Sequence, residues 1–187
     1  MGDRGGPGDV EWIRAAVRDH ERKLIAYATH LVGNLERGRD LTQETFARLC
    51  EQDRAQIEPH VSEWLFTVCR NLCIDARRRE RRTKPLGEEH ADLQISPRES
   101  PGERLEAEEA LAGALAALET LTPNQQDVIR LKFQHGFSYK QIAQVTSLSV
   151  TNVGFLMHTG LKMLRKRLQE TSEQEAHRLR EVNRILD

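Results

Sequence analysis

Apolar residues along this chain recur at steps of three and four, the spacing of amphipathic helices. Ile13, Val17, Leu24, Ala28 and Leu31 mark a first helix over about Asp9–Val32, and Gly33-Asn34 stops it with a turn. A second helix follows over about Leu35–Cys50, with Leu41, Thr45, Phe46 and Leu49 near one face. Residues 52–60 are polar, end in Pro59 and read as a loop. The third helix begins near Val61. There Val61, Trp64, Leu65, Val68 and Leu72 form a stripe predicted to be buried, which takes Trp64 into the core.

Residues 84–103 break the pattern. Pro85, Gly87, Pro97, Pro101 and Gly102 stand among acids and serines with no useful periodicity, as in a linker. A helix over about Leu105–Leu118 comes next. Thr122 then stands as an N-cap before Pro123, which a first helical turn tolerates, and that helix ends near Gly136. Ser138 can cap a short helix carrying Ile142, Ala143 and Val145. After a turn at Thr146-Ser147-Leu148, Ser149 can cap a second helix carrying Val150, Val153, Leu156, Leu161 and Leu164. Short helix, tight turn and longer helix make a helix-turn-helix, whose second helix presents its N-terminal residues to the major groove. Ala176, Leu179, Val182 and Leu186 continue the helical spacing through the tail. The expected fold is all-α. Two small helical domains, 9–83 and 104–170, flank a flexible linker at 84–103, and a helical tail occupies 171–187.

Composition suits this reading. Of the 187 residues 38% are hydrophobic, 5% aromatic and 30% charged, which fits helices with wide solvated faces and not a sandwich or barrel. The formal net charge of −1 hides a segregation. Residues 70–84 hold Arg70, Arg77, Arg78, Arg79, Arg81, Arg82 and Lys84 against Asp75 and Glu80, and residues 86–109 are strongly acidic. The basic block points to nucleic acid. Three cysteines, Cys50, Cys69 and Cys73, form no disulfide framework and fit a reducing cytoplasm. No apolar run approaches a membrane span, and Met1 to Gly8 reads as an unstructured tail without a signal-peptide core.

Cys69 and Cys73, one helical turn apart, with Cys50 and His60, are the set to weigh for zinc; buried reduced thiols account for them better, and no metal is expected. No P-loop, dinucleotide fingerprint, HExxH or Ser/His/Asp set can be assembled, so neither an enzyme nor a cofactor is expected.

The motifs in order resemble a known family. Asp40-Leu41-Thr42-Gln43-Glu44-Thr45-Phe46 resembles the D-x-x-Q-E-x-F signature of sigma region two. Trp64-Leu65, Arg70-Asn71 and Asp75 through Arg78-Arg79 resemble the run that follows it, and Leu121-Thr122-Pro123 with Ser138-Tyr139 and Ile142-Ala143 resembles sigma region four. Spacing, order and an acidic linker together resemble the ECF (extracytoplasmic-function) sigma factors.

That resemblance implies a transcription initiation factor whose partners are the RNA polymerase core, through its clamp helices and flap, and promoter DNA. An anti-sigma protein is a further partner it allows. By position, Asp40, Gln43, Glu44 and Phe46 would face the clamp, although Phe46 serves equally as a core residue. Arg70, Asn71, Arg77, Arg78, Arg79, Arg81 and Arg82 would hold the opened −10 element by its phosphates. Asn71 and the segment Asp53 to His60 lie near any pocket for a flipped base.

The recognition helix departs from the family. Val153-Gly154-Phe155-Leu156-Met157-His158-Thr159-Gly160-Leu161 stands where a basic polar stretch is usual, and Ser147 stands where the turn usually has glycine. Ser149, Thr151, Asn152, Phe155, His158 and Lys162 remain to meet a −35 element, without arginine–guanine contacts. Two other readings stay open at this point: a helix-turn-helix regulator that works without polymerase, and a polymerase-binding adaptor whose apolar helix docks on protein.

Overall fold

The computed structural model describes residues 7–83 and 113–186, and beyond Glu170 side chains only at Glu173. All regular structure among the described residues is helical, and it divides into two compact units. The linker at 84–103 and most of the helix expected over Leu105–Leu118 lie outside the described residues.

In the first unit α1 spans Pro7–Val32. Pro7 and Gly8, expected in an unstructured tail, are already helical. Gly33 ends α1 at φ 74°, donating its N–H to the Thr29 carbonyl at 2.8 Å. Asn34 then caps α2, Leu35–Cys50, by accepting from the Arg37 N–H at 2.9 Å. The two helices cross at Gly38, where a Cβ would come within 2.8 Å of the Thr29 backbone nitrogen. Only glycine allows that approach. The buried Thr42 and Thr45 hydroxyls donate to carbonyls of their own helix, at 2.8 and 2.7 Å, so they cost little in this interior.

The segment read as a loop is ordered differently. Residues Arg54–Ile57 form α3 and Glu58–His60 a 3-10 turn, with Pro59 in the first positions, where its missing N–H is not needed. A single turn is unstable alone. Asp53 caps it at 3.0 Å from the Ala55 nitrogen, Arg54 pairs with Glu58 at 2.9 Å, and Ile57 is buried. Burying one such side chain is worth about 2 kcal/mol, more than the exposed ion pair supplies.

Helix α4, Val61–Thr83, completes this unit. Its buried residues are Leu65, Phe66, Cys69, Cys73 and Ala76, and the Phe66 ring lies 5.1 Å from that of Tyr27 on α1. This corrects the expected stripe: Val61, Trp64, Val68 and Leu72 are half-buried at its edge, and Trp64 is not a core residue. Of the expected stripe only Leu65 is fully buried, and Phe66, Cys69, Cys73 and Ala76 complete the packed face.

In the second unit residues 113–119 are helical (α5). Thr122 starts α6, Pro123–Phe133, in a full capping box with Gln125. Gly136, at φ 75°, lies beyond its end. Helix α7 covers Tyr139–Thr146 and α8 covers Val150–Leu186. Leu118, Leu121, Val128, Leu131, Phe137, Ile142, Val153 and Met157 form the core. Val150, expected inside, is exposed in the first turn of α8. Gly160 is buried against α6, and a Cβ there would meet the Ile129 Cδ1 at 2.8 Å. Its place in a helix interior, unfavourable by propensity, is explained by that approach.

Candidate nucleic-acid interface

On α2 the core takes Leu41, Thr42, Thr45 and Leu49, which turns Asp40, Gln43, Glu44 and Ala47 together to the exterior. Glu44 accepts from the Arg48 Nε at 3.1 Å on the exposed side, a pair worth a few tenths of a kcal/mol that leaves its carboxylate accessible. Phe46 is half-buried at the edge of the patch. The segment therefore offers two carboxylates and an amide on one helical face.

Helix α4 runs on past its packed part into the arginine block. Arg78, Arg79, Arg81, Arg82 and Asn71 are exposed, and Arg70 and Arg77 half-buried. Glu80 lies 4.0 Å from the Arg37 Nε of α2. None of the six arginines is buried in the core of its own unit, so their charge stands at the surface, where it can meet phosphates.

The helix-turn-helix forms where the spacing predicts it. Ser138 and Gln141 make a reciprocal cap at 2.8 and 3.3 Å ahead of α7. Ser149 caps α8 by accepting from the Asn152 N–H at 3.1 Å. Between them Ser147 sits at φ 58°, the left-handed region that favours glycine. On α8 the core takes Val153, Met157 and Gly160. Thr151, Phe155, His158 and Lys162 follow one another at steps of four, three and four on the opposite side, all exposed, with Asn152 and Ser149 exposed beside the helix start. Phe155 is 62% exposed at the centre of that face.

A hydrogen-bonded chain fixes this face to α6. The Gln125 Nε2 donates to the Thr159 Oγ1 at 3.1 Å, and that hydroxyl donates to the Phe155 carbonyl at 2.9 Å. Gln125 uses its other amide atom, Oε1, to accept from the Thr122 N–H and hydroxyl.

Sequence reasoning missed one surface. Leu115, Leu118, Ile129, Phe133, Leu161 and Leu164 line an open groove of about 300 Å³ between α5, α6 and α8. Arg130 reaches into it while only 8% exposed, and its Nε has no hydrogen-bond partner. Burial lowers the Arg130 pKa, against which Glu119 and Asp127 act. The signal was an arginine inside an apolar helical run, legible only once α5 and α8 are set beside α6.

The family model Sigma-70 region 2 matches residues 16–83, and Sigma-70, region 4 matches residues 112–164. The ECF RNA polymerase sigma factor EcfG of Rhodopseudomonas palustris is 35% identical over 134 residues, covering 70% of each chain. The chain belongs to the ECF RNA polymerase sigma factors. SigL of Mycobacterium tuberculosis is 29% identical over 160 residues, 84% of this sigma factor and 89% of that one. The sigma factor RpoE of Bartonella quintana, solved in complex with the anti-sigma factor NepR, shares the fold at a TM-score of 0.65 and 20% identity, over 83% of this chain and 96% of that one. This sigma factor thus acts in transcription initiation, the role its sequence predicted. Among the described residues no helix is long and apolar enough to cross a membrane, and no three potential metal ligands cluster.

Proposed function

We propose that the two units divide initiation between them, both working in the cytoplasm on the RNA polymerase core. Asp40, Gln43 and Glu44, with Phe46 at their edge, dock on the basic clamp helices. Opposite charge there serves orientation and on-rate more than bulk affinity. The end of α4, through Arg70, Asn71, Arg77, Arg78, Arg79, Arg81 and Arg82, holds the separated −10 strands by their phosphates and bases. The α8 face of Ser149, Thr151, Asn152, Phe155, His158 and Lys162 enters the −35 major groove. The apolar groove with Arg130 takes the polymerase flap, where a helix can cover the leucines and offer an acceptor to the unpaired Nε. No catalytic step belongs to this chain.

The observation that carries the reading is that the candidate residues of α2, α4 and α8 lie on faces turned away from the core, with Arg70, Arg77 and Phe46 half-buried and the rest exposed. The test adds the purified chain to core polymerase on genomic DNA and sequences transcript 5′ ends. Discrete starts sharing an upstream element are expected, absent with core alone and lost when Asp40, Gln43 and Glu44 are changed together to alanine. Specific binding to the same promoters by the chain alone, with core adding no transcripts, would refute it.

A further inference from the structure

Phe155 does nothing for the fold of its unit. It lies diametrically across α8 from Val153, Met157 and Gly160, and more than half of it meets solvent. A large aromatic at the centre of an outward helical face asks for an occupant. Its frame on that face is Thr151, Asn152, His158 and Lys162, all exposed and polar or cationic, beside a helix N-terminus that carries partial positive charge. A face built to dock on protein surrounds its aromatic anchor with further apolar groups. Here the anchor is ringed by hydrogen-bonding groups and followed by Lys162 and Arg165, the environment of an anionic polar groove.

The chemistry narrows further. From Ser149 to Leu161 there is no arginine or lysine. The bidentate contact to guanine O6 and N7, the commonest specific contact in the major groove, has no side chain to make it along this stretch. The apolar feature that the groove itself displays is the thymine C5-methyl. The helix turn that bears Phe155 is tied to α6, since the Phe155 carbonyl accepts from Thr159, which accepts from Gln125.

We infer that Phe155 is the specificity-determining residue of the second unit and reads a thymine methyl in the upstream promoter element. The inference rests on the proposal that α8 enters the −35 groove, and its test separates the two. Holoenzyme is assembled on a promoter mapped from its own transcripts, and each upstream thymine is replaced in turn by deoxyuridine, which deletes only the methyl group.

At one position, or two adjacent ones, binding should fall about four-fold, the ~0.8 kcal/mol of one methyl-sized group returned to water. Phe155→Ala should bind more weakly on thymine and lose that sensitivity, with the melting temperature of the chain unchanged because the side chain is outside the core. Indifference of the wild type to every deoxyuridine, or equal sensitivity in Phe155→Ala, overturns the inference while leaving the initiation role standing. Phe155→Ala weakening the affinity for core polymerase without DNA gives the face to protein and overturns it too. Absence of any promoter-specific transcript removes both.

Discussion

The two helices proposed to meet DNA share a plan and differ in chemistry. Each packs one face on its own unit and turns the other outward. In α4 the thirteen residues from Arg70 to Arg82 carry six arginines, whereas the thirteen from Ser149 to Leu161 carry none. A phosphate-holding surface needs density of charge and tolerates looseness, because its partners repeat along every strand. A base-reading surface needs few groups held in fixed register. The packing follows suit: five of the six arginines project beyond the last buried residue of α4, Ala76, while Phe155 sits between core residues Val153 and Met157.

Each unit also places one glycine where helices cross, and the two should respond unequally. The largest effect is expected in the first unit. Gly38→Ala drives a methyl against the Thr29 backbone, which cannot swing away. Overpacking of about 3 kcal/mol, less about 1 kcal/mol of helix propensity, should leave a net loss near 2 kcal/mol in thermal or denaturant unfolding. An unchanged midpoint would mean that α1 and α2 do not cross closely at this point.

Next comes charge. Changing Arg78, Arg81 and Arg82 to alanine should lower the slope of log affinity against log salt by about two units for holoenzyme on promoter DNA with unpaired −10 strands. The deoxyuridine effect at Phe155 should persist in that variant. A parallel loss of upstream discrimination would blur the distinction between holding and reading.

A smaller effect, of opposite sign, belongs to the helix-turn-helix. Ser147 bears the cost of a left-handed backbone that glycine avoids, so Ser147→Gly should stabilise the chain by about 1 kcal/mol. Calorimetry should show its transition rise by several degrees. The smallest change is expected for Gly160→Ala. Its new methyl meets the tip of Ile129, which can rotate, and gains in propensity, so the net should lie within about 1 kcal/mol of zero. A loss as large as that at Gly38 would show that α6 and α8 are locked as rigidly as α1 and α2.

Much of this was legible in the sequence because it was written in local chemistry. The limits of α2 follow from Asn34 and the helical spacing, the start of α6 from Thr122-Pro123, and the turn before α8 from two serine caps. The candidate residues of α2 and α8 came from the family resemblance, position by position, and not from periodicity. What escaped depends on contacts between elements. Arg54–Ile57 is helical because Ile57 is buried, which no four-residue pattern reveals. The packed face of α4 keeps Leu65 and the expected buried thiols but takes Phe66 and Ala76 in place of Trp64, which stays half-buried. The groove around Arg130 required three helices at once.

Gln125 gives its amide oxygen to the cap of its own helix and its amide nitrogen to the neighbour that bears Phe155. On the proposed reading of Phe155, one side chain therefore links the opening turn of α6 to promoter choice. A drift in sequence that frays that turn would, on the same reading, release the helix bearing the phenylalanine and alter which promoters this sigma factor favours.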